Sequence, residues 1–173
     1  GAHAIAAMAY GTETIEKSDK IFGPGNSFVA EAKRQVFGDV GIDSFAGPSE
    51  VLIISDEEDS SKEIAADLIA QAEHGEDSRC IFVQVGKKGL NTLINNIENL
   101  LKDAPRKEII RKSIEKNSQF IQVSSFDQAL EINNLIAPEH LQIIVKNFKE
   151  SWLKKSSAGA IFLGKHNSAV LGD

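Results

Sequence analysis

The feature that most constrains this chain is the run Val51-Leu52-Ile53-Ile54-Ser55 and the way its kind recurs. A strand that is apolar at nearly every position leaves no face for water. It belongs in a sheet covered on both sides, as parallel sheets are. Comparable runs follow at residues 80–85, 120–123, 141–145 and 160–163. Between them lie helical patterns over residues 61–75, 90–101, from Pro105 to about 116, over 126–136, and a short one at 148–154 that carries Trp152 as a core residue. Strands and helices thus alternate from Val51 to Leu163 with connections of a few residues. The pattern predicts βαβ units and an open, mostly parallel, Rossmann-like α/β sheet with flanking helices.

Residues 1–48 are less regular. They are expected to form part of a second α/β lobe, leaving residues 49–173 as the Rossmann-like domain. Residues 1–10 read as an Ala-rich helix and 19–22 as a short strand. Gly23-Pro24-Gly25-Asn26 then leads into a helical pattern over 27–37, with Phe28, Val29, Ala32, Val36 and Phe37 as its apolar positions. Strand, glycine-rich turn and helix in that order aim free backbone N–H groups at an anion. Asn26 or Ser27 is the expected N-cap. The dinucleotide fingerprint GxGxxG is not met, because Phe28 stands at its third glycine. By itself this segment reads more simply as a tight turn with a capped helix.

Composition narrows the partners. A net charge of −6, with no cluster of Lys and Arg, argues against nucleic acid. No apolar run has the length of a membrane span. The one cysteine, Cys80, opens an apolar run; it allows no internal disulfide and fits a reducing, cytoplasmic setting. The sequence opens without Met or a basic leader and stops at Gly172-Asp173 straight after a strand. The expectation is a fragment of a longer protein.

Three places could carry chemistry. In the helical pattern over 61–75, Ile64, Leu68 and Gln71 fall at i, i+4 and i+7, so Gln71 stands where carbon belongs. His74 lies close beside it around the helix, and Gly75 is expected to end the helix as a C′ glycine. A buried amide needs partners, and a metal or a ligand could supply them. On spacing alone the plainer reading is a buried Gln hydrogen-bonded to backbone and a surface His. Pro138-Glu139-His140 sets a carboxylate beside an imidazole between a helix and a strand, a pair that can divide acid and base duties; a solvated Glu with a packed His is the plainer alternative. Ser49 sits in the tight loop before the run at Val51, where loop residues meet ligands. Asp173 alone says nothing, but with Gln71 and His74 it could complete part of a metal site with N and O ligands.

Four motifs in this order, KIFGPGN from Lys20, AGPSEV from Ala46, QAEHG from Gln71 and APEHL from Ala137, together with AGAIFLG near the end, resemble histidinol dehydrogenases. The resemblance runs over essentially all of the chain but only over the middle of the family's sequence. That family comprises zinc-dependent, NAD-linked homodimers that oxidise L-histidinol through histidinal to L-histidine. The resemblance implies that Gln71, His74 and Asp173 are zinc ligands and substrate contacts, that Glu139 and His140 are the catalytic pair, with His140 also touching substrate, and that Ser49 contacts substrate. It implies NAD contacts at Asn26 and at His3, where the family commonly has Gln. A fourth zinc-ligating histidine and a further substrate carboxylate of the family would lie beyond Asp173 and come from the partner subunit, and an NAD-contacting tyrosine would precede Gly1. The segment alone is therefore expected to form an incomplete site. The alternatives are a related metal-dependent amino-alcohol dehydrogenase and a non-catalytic α/β nucleotide-binding domain.

Overall fold

The computed structural model describes residues 1–43 and 50–168. Ser49, Asp173 and most of the tight loop before Val51 lie outside the described residues. The chain divides into two compact units, Gly1–Gly47 and Pro48–Asp173.

The first unit runs α1 (Ala2–Tyr10), β1 (Lys20–Ile21), α2 (Ser27–Val36) and β2 (Gly41–Ile42). The two short strands pair in parallel, with Ile21 opposite Ile42. Ile5, Ala9, Ile21, Val36 and Val40 form its core, with Met8, Val29 and Ala32 packed against them. Phe28 and Phe37 do not belong to that core: they are 73% and 62% exposed. Each stands one residue from a core position of α2, and one residue is about 100° of helical rotation, which carries a side chain off the buried stripe.

The second unit runs β3 (Glu50–Ser55), α3 (Ser61–Ala72), β4 (Arg79–Val85), α4 (Leu90–Asp103), α5 (Lys107–Asn117), β5 (Gln119–Val123), α6 (Phe126–Ile136), β6 (His140–Ile144), a 3₁₀ helix (Glu150–Lys155) and β7 (Ala160–Leu163). The five strands lie in the order β5-β4-β3-β6-β7 and every pairing is parallel. Alternate residues supply two cores, as period-two strands must. On one face Val51, Ile53 and Phe82 meet Ile64, Leu68, Leu93, Ile97 and Ile110 from α3, α4 and α5. On the other Leu52, Ile54, Ile81, Val83, Leu141 and Ile143 meet Phe126, Ala129 and Leu130 of α6. Trp152 is half-buried there, stacked on Phe126 with ring centroids 3.6 Å apart. The open parallel α/β sheet read from the apolar runs is the observed architecture.

Several boundaries differ from the sequence reading. α3 ends at Ala72, and Gly75 does not take the left-handed φ of a C′ glycine. The helix instead tightens: the His74 N–H reaches the Gln71 carbonyl at 3.3 Å, and the chain turns through Gly75 and Ser78 into β4. α5 starts two residues after Pro105, which sits in the turn before it. The short element expected over 148–154 is the 3₁₀ helix. On α4 only Leu93, Ile97 and Leu101 are buried; Ile94 and Leu100 are largely exposed. No helix among the described residues is long and apolar enough to cross a membrane.

Candidate active site

Parallel pairing puts all five strand starts on one edge of the sheet, and two candidate motifs arrive at that edge by different routes. α3 leaves the carboxyl end of β3 and returns, so Gln71, Glu73 and His74 lie where β4 is about to begin; Ala72 and Leu68 pack with Val51 and Cys80, the first core residues of β3 and β4. α6 returns in the same way on the opposite face, and Ala137 ends it in the left-handed region at φ 49°. Pro138 and Glu139 follow, and His140 is the first residue of β6 rather than a loop residue. It sits in register between Val51 of β3 and Ala160 of β7.

The groups at this edge differ in exposure and in partners. His140 is 6% exposed, its ring meets Phe162 edge-on at 5.6 Å, and its Nδ1 has no hydrogen-bond partner among the described residues. Gln71 is 6% exposed and its amide nitrogen also lacks a partner among the described residues. Amide O and N exchange by a flip, so what counts is that one end of a buried amide is unmet. The plainer reading of Gln71, an amide satisfied by backbone, is not what is seen at that atom. His74 is exposed, as that reading had it. Glu139 is exposed, and its Oε2 accepts from the Glu50 N–H at 3.4 Å. The Glu50 carboxylate in turn accepts from Arg79 at 2.7 Å. Other unmet buried atoms lie elsewhere: Glu63 in the first turn of α3, Asn133 on α6, and Gln142, two residues further along β6 on the face of His140.

Two parts of this edge were not anticipated from sequence. Arg79 and Glu50 pair across β4 and β3, signalled only as the charged first residues of apolar strands. Gly159 lies so close to Glu139 that a Cβ there would stand 2.7 Å from the Glu139 carbonyl oxygen. Its N–H donates to the Pro138 carbonyl at 3.0 Å, and the Ala160 N–H to Glu139 at 2.9 Å. The backbone under the Glu139-His140 pair is thereby fixed by the start of β7. Cys80, also at this edge, is no nucleophile. Burial pushes its thiol up to about 12, and Sγ donates to the Leu68 carbonyl.

Residues of the first unit form a separate set. Asn26 is the N-cap of α2, its Oδ1 accepting from the Val29 N–H at 3.2 Å. The carbonyl end of its amide is committed to the helix, and the NH₂ end is what it offers a ligand. His3 is exposed in the first turn of α1.

The donor chemistry at the amino edge fits a zinc ion in part. An amide with an unmet end and an imidazole one helical turn apart are N and O donors of the right kind, and Asp173 would be the third. Among the described residues no three of His, Cys, Asp and Glu come together as a metal cluster.

The sheet order and the polar amino edge together define a doubly wound α/β domain. The crystal structure of gamma-glutamyl phosphate reductase from Thermotoga maritima shares that fold across 100% of this chain and 46% of its own, with a TM-score of 0.59 at 13% identity. The family model for histidinol dehydrogenase matches residues 1–173, and the chain belongs to the histidinol dehydrogenase family. It is 51% identical over 174 residues to the histidinol dehydrogenase of Nitrosospira multiformis, covering 100% of this chain and 39% of that protein. It is 49% identical to that of Pseudomonas aeruginosa, again over 39% of the relative. The crystal structure of histidinol dehydrogenase from Elizabethkingia anophelis superposes on 98% of this chain and 39% of its own, with a TM-score of 0.90 at 43% identity. The chain thus spans about two fifths of the relatives it matches.

Proposed function

We propose that the protein carrying this chain is an NAD- and zinc-dependent histidinol dehydrogenase that oxidises L-histidinol through histidinal to L-histidine. The observation that carries this reading is family membership along the whole chain, with the QAEHG and APEHL motifs delivered to the same edge of one sheet. Gln71, His74 and Asp173 would hold zinc, and Ser49 would meet substrate. Asn26 and His3, in the lobe formed by residues 1–48, would contact NAD.

The work of the chain's own residues then follows from their chemistry. Zinc held by these residues would supply Lewis-acid chemistry to the amino alcohol, and NAD would be the hydride acceptor. His140 accepts the alcohol proton as the first hydride leaves. Its burial against Phe162 holds the ring in one orientation, which serves a base that must meet one proton. Glu139, exposed and able to reach water, takes a proton from water as the oxygen adds to the aldehyde carbon. His140 returns its proton to the aldehyde oxygen in that step and is free again to accept a hydroxyl proton of the hydrate as the second hydride leaves. Four electrons and one water oxygen account for alcohol to carboxylate, so each histidinol yields two NADH. The remaining groups of the site belong to a second subunit in this reading, as a homodimer.

The test is NADH formation from L-histidinol by the full-length, zinc-loaded protein. Two NADH per histidinol is the expected result. A folded, zinc-loaded protein that binds NAD without turnover returns the alternative of a nucleotide-binding domain.

A further inference from the structure

One lysine stands where the pattern of α2 asks for carbon. Lys33 lies four residues after Val29 and three before Val36, on the stripe that α2 buries, and it is 4% exposed. Its Nζ donates to the Gly23 carbonyl at 2.5 Å and to Asp43 Oδ1 at 2.6 Å. The other carboxylate oxygen, Asp43 Oδ2, accepts from the Gly23 N–H at 2.9 Å. Both backbone polar groups of a single residue are thus held by the two members of one ion pair, and the pair closes the ring.

The residue so held is the first of the turn Gly23-Pro24-Gly25-Asn26. Gly23 has φ 131°, a conformation open to glycine and costly for other residues, so nothing intrinsic to a flexible glycine would keep it there. Its two partners are themselves placed. Lys33 reaches back toward the amino end of α2, as helical side chains do. Asp43 follows β2 directly, and its own N–H donates to the Ile21 carbonyl at 3.2 Å. A Met or Leu would fill the same space in α2 with no ammonium to desolvate. A buried ion pair is weak evidence for stability; what this one gives that carbon cannot is a fixed peptide at the head of the turn.

We propose that Lys33 and Asp43 are positioning residues for the cofactor: by clamping the Gly23 peptide they hold the turn in one shape, with Asn26 already presented to NAD. This rests on the reading of Asn26 as an NAD contact. A turn that is ordered before binding spares the complex the cost of ordering it, so the effect lies in cofactor affinity rather than in the chemical step.

The test is the Kd for NAD by calorimetric titration of Lys33→Met, Lys33→Arg, Asp43→Asn and Asn26→Ala in the full-length protein, together with steady-state kinetics that vary NAD and L-histidinol separately. Lys33→Met should raise the Kd for NAD, and with it the KM for NAD, about tenfold. Its kcat at saturating NAD and its KM for L-histidinol should stay within about twofold. Lys33→Arg, which can donate to the same two oxygens, should recover most of the loss. Should Lys33→Met not fold, Asp43→Asn keeps the volume and one acceptor and decides by the same criterion. A KM for NAD unchanged in the Lys33 and Asp43 variants but raised in Asn26→Ala overturns the clamp and leaves the cofactor reading intact. A KM for NAD unchanged in Asn26→Ala overturns the reading of the turn itself. Equal losses toward both substrates and in kcat overturn the proposal in favour of a general packing defect.

Discussion

The two edges of the five-stranded sheet are built from the same strands and carry different sets of polar groups. At the carboxyl edge several buried polar side chains are paired, although Glu63 Oε2 in the first turn of α3 and Gln142 Oε1 find no partner among the described residues. Gln84 donates to the Ser55 and Val85 carbonyls, Ser55 accepts from the Glu57 N–H, and Ser60 donates to the Glu57 carboxylate. Asp56 accepts from the Lys146 N–H across the gap between β3 and β6. That gap is where the strand order reverses, the place where doubly wound sheets usually take a ligand. At the amino edge Gln71 and His140 are buried too, and each has a polar atom unmet among the described residues. Topology points to the carboxyl edge, whereas the QAEHG and APEHL motifs stand at the amino edge. We follow the motifs, because Gln71 and His140 combine burial, an atom unmet among the described residues and donor or proton-transfer chemistry in one place.

The comparison can be broken at either edge, most sharply by His140→Asn. Turnover of the full-length protein should fall about 10³-fold in both half-reactions, with little change in Tm. A loss of Tm with turnover preserved would make His140 a core residue. Glu139→Gln comes next. Histidinal oxidation should fall about 10²-fold and histidinol oxidation much less, measured as separate half-reactions. Equal losses in the two count against the division of roles.

Gln71→Met and Gln84→Met are the matched pair, one at each edge. Gln84→Met strips the donor from two carbonyls and should cost about 2 kcal/mol of unfolding free energy. Gln71→Met removes an amide with an unmet end and should leave stability unchanged or raised, while bound zinc per chain falls. Similar destabilisation in both variants would erase the difference between the edges.

The smallest effect concerns the turn after α3. Glu76 accepts from Lys112 at 2.7 Å, and that hydrogen bond holds the Glu76 carboxyl below its usual range and the Lys112 ammonium above its own. A lowered carboxylate stabilises the fold above its unfolded-state value and loses that contribution as pH falls through the folded one. A raised lysine does so below its unfolded-state value and loses it as pH rises through the folded one. The Tm difference between the parent and Lys112→Ala should therefore be small near neutral pH, since both groups are exposed, and vanish in acid and in high salt. A difference that persists in acid means that the lysine stem, not its charge, is what matters.

The sheet was legible because fully buried parallel strands announce themselves: 51–55, 80–85 and 141–145 have almost no polar residue to misplace. In the first unit the strand read at 19–22 is present as Lys20–Ile21, but its partner Gly41–Ile42 was not legible, since two residues after a turn are too short to show a period. The end of α3 was misjudged because a glycine after a helical run usually takes a left-handed φ, and here a tightened last turn does the stopping. Gln71 was legible as a polar residue out of pattern. His140 was legible as a member of a carboxylate–imidazole pair, but not as a strand residue, because the apolar run begins one residue later. Lys33 went unread for the opposite reason: a lysine in a helix is normally solvated, and only the distant Asp43 and Gly23 make it a buried one.

Cys80 has a further consequence. It is the one cysteine of this segment, it is fully enclosed, and its proton is held far above neutral pH. Thiol-directed alkylating reagents act on thiolate that they can reach, so the native fold of this segment offers them no cysteine. A cysteine introduced at an exposed position such as His166 would be the sole reactive handle of the segment, and a dye or spin label could be attached there without first removing anything.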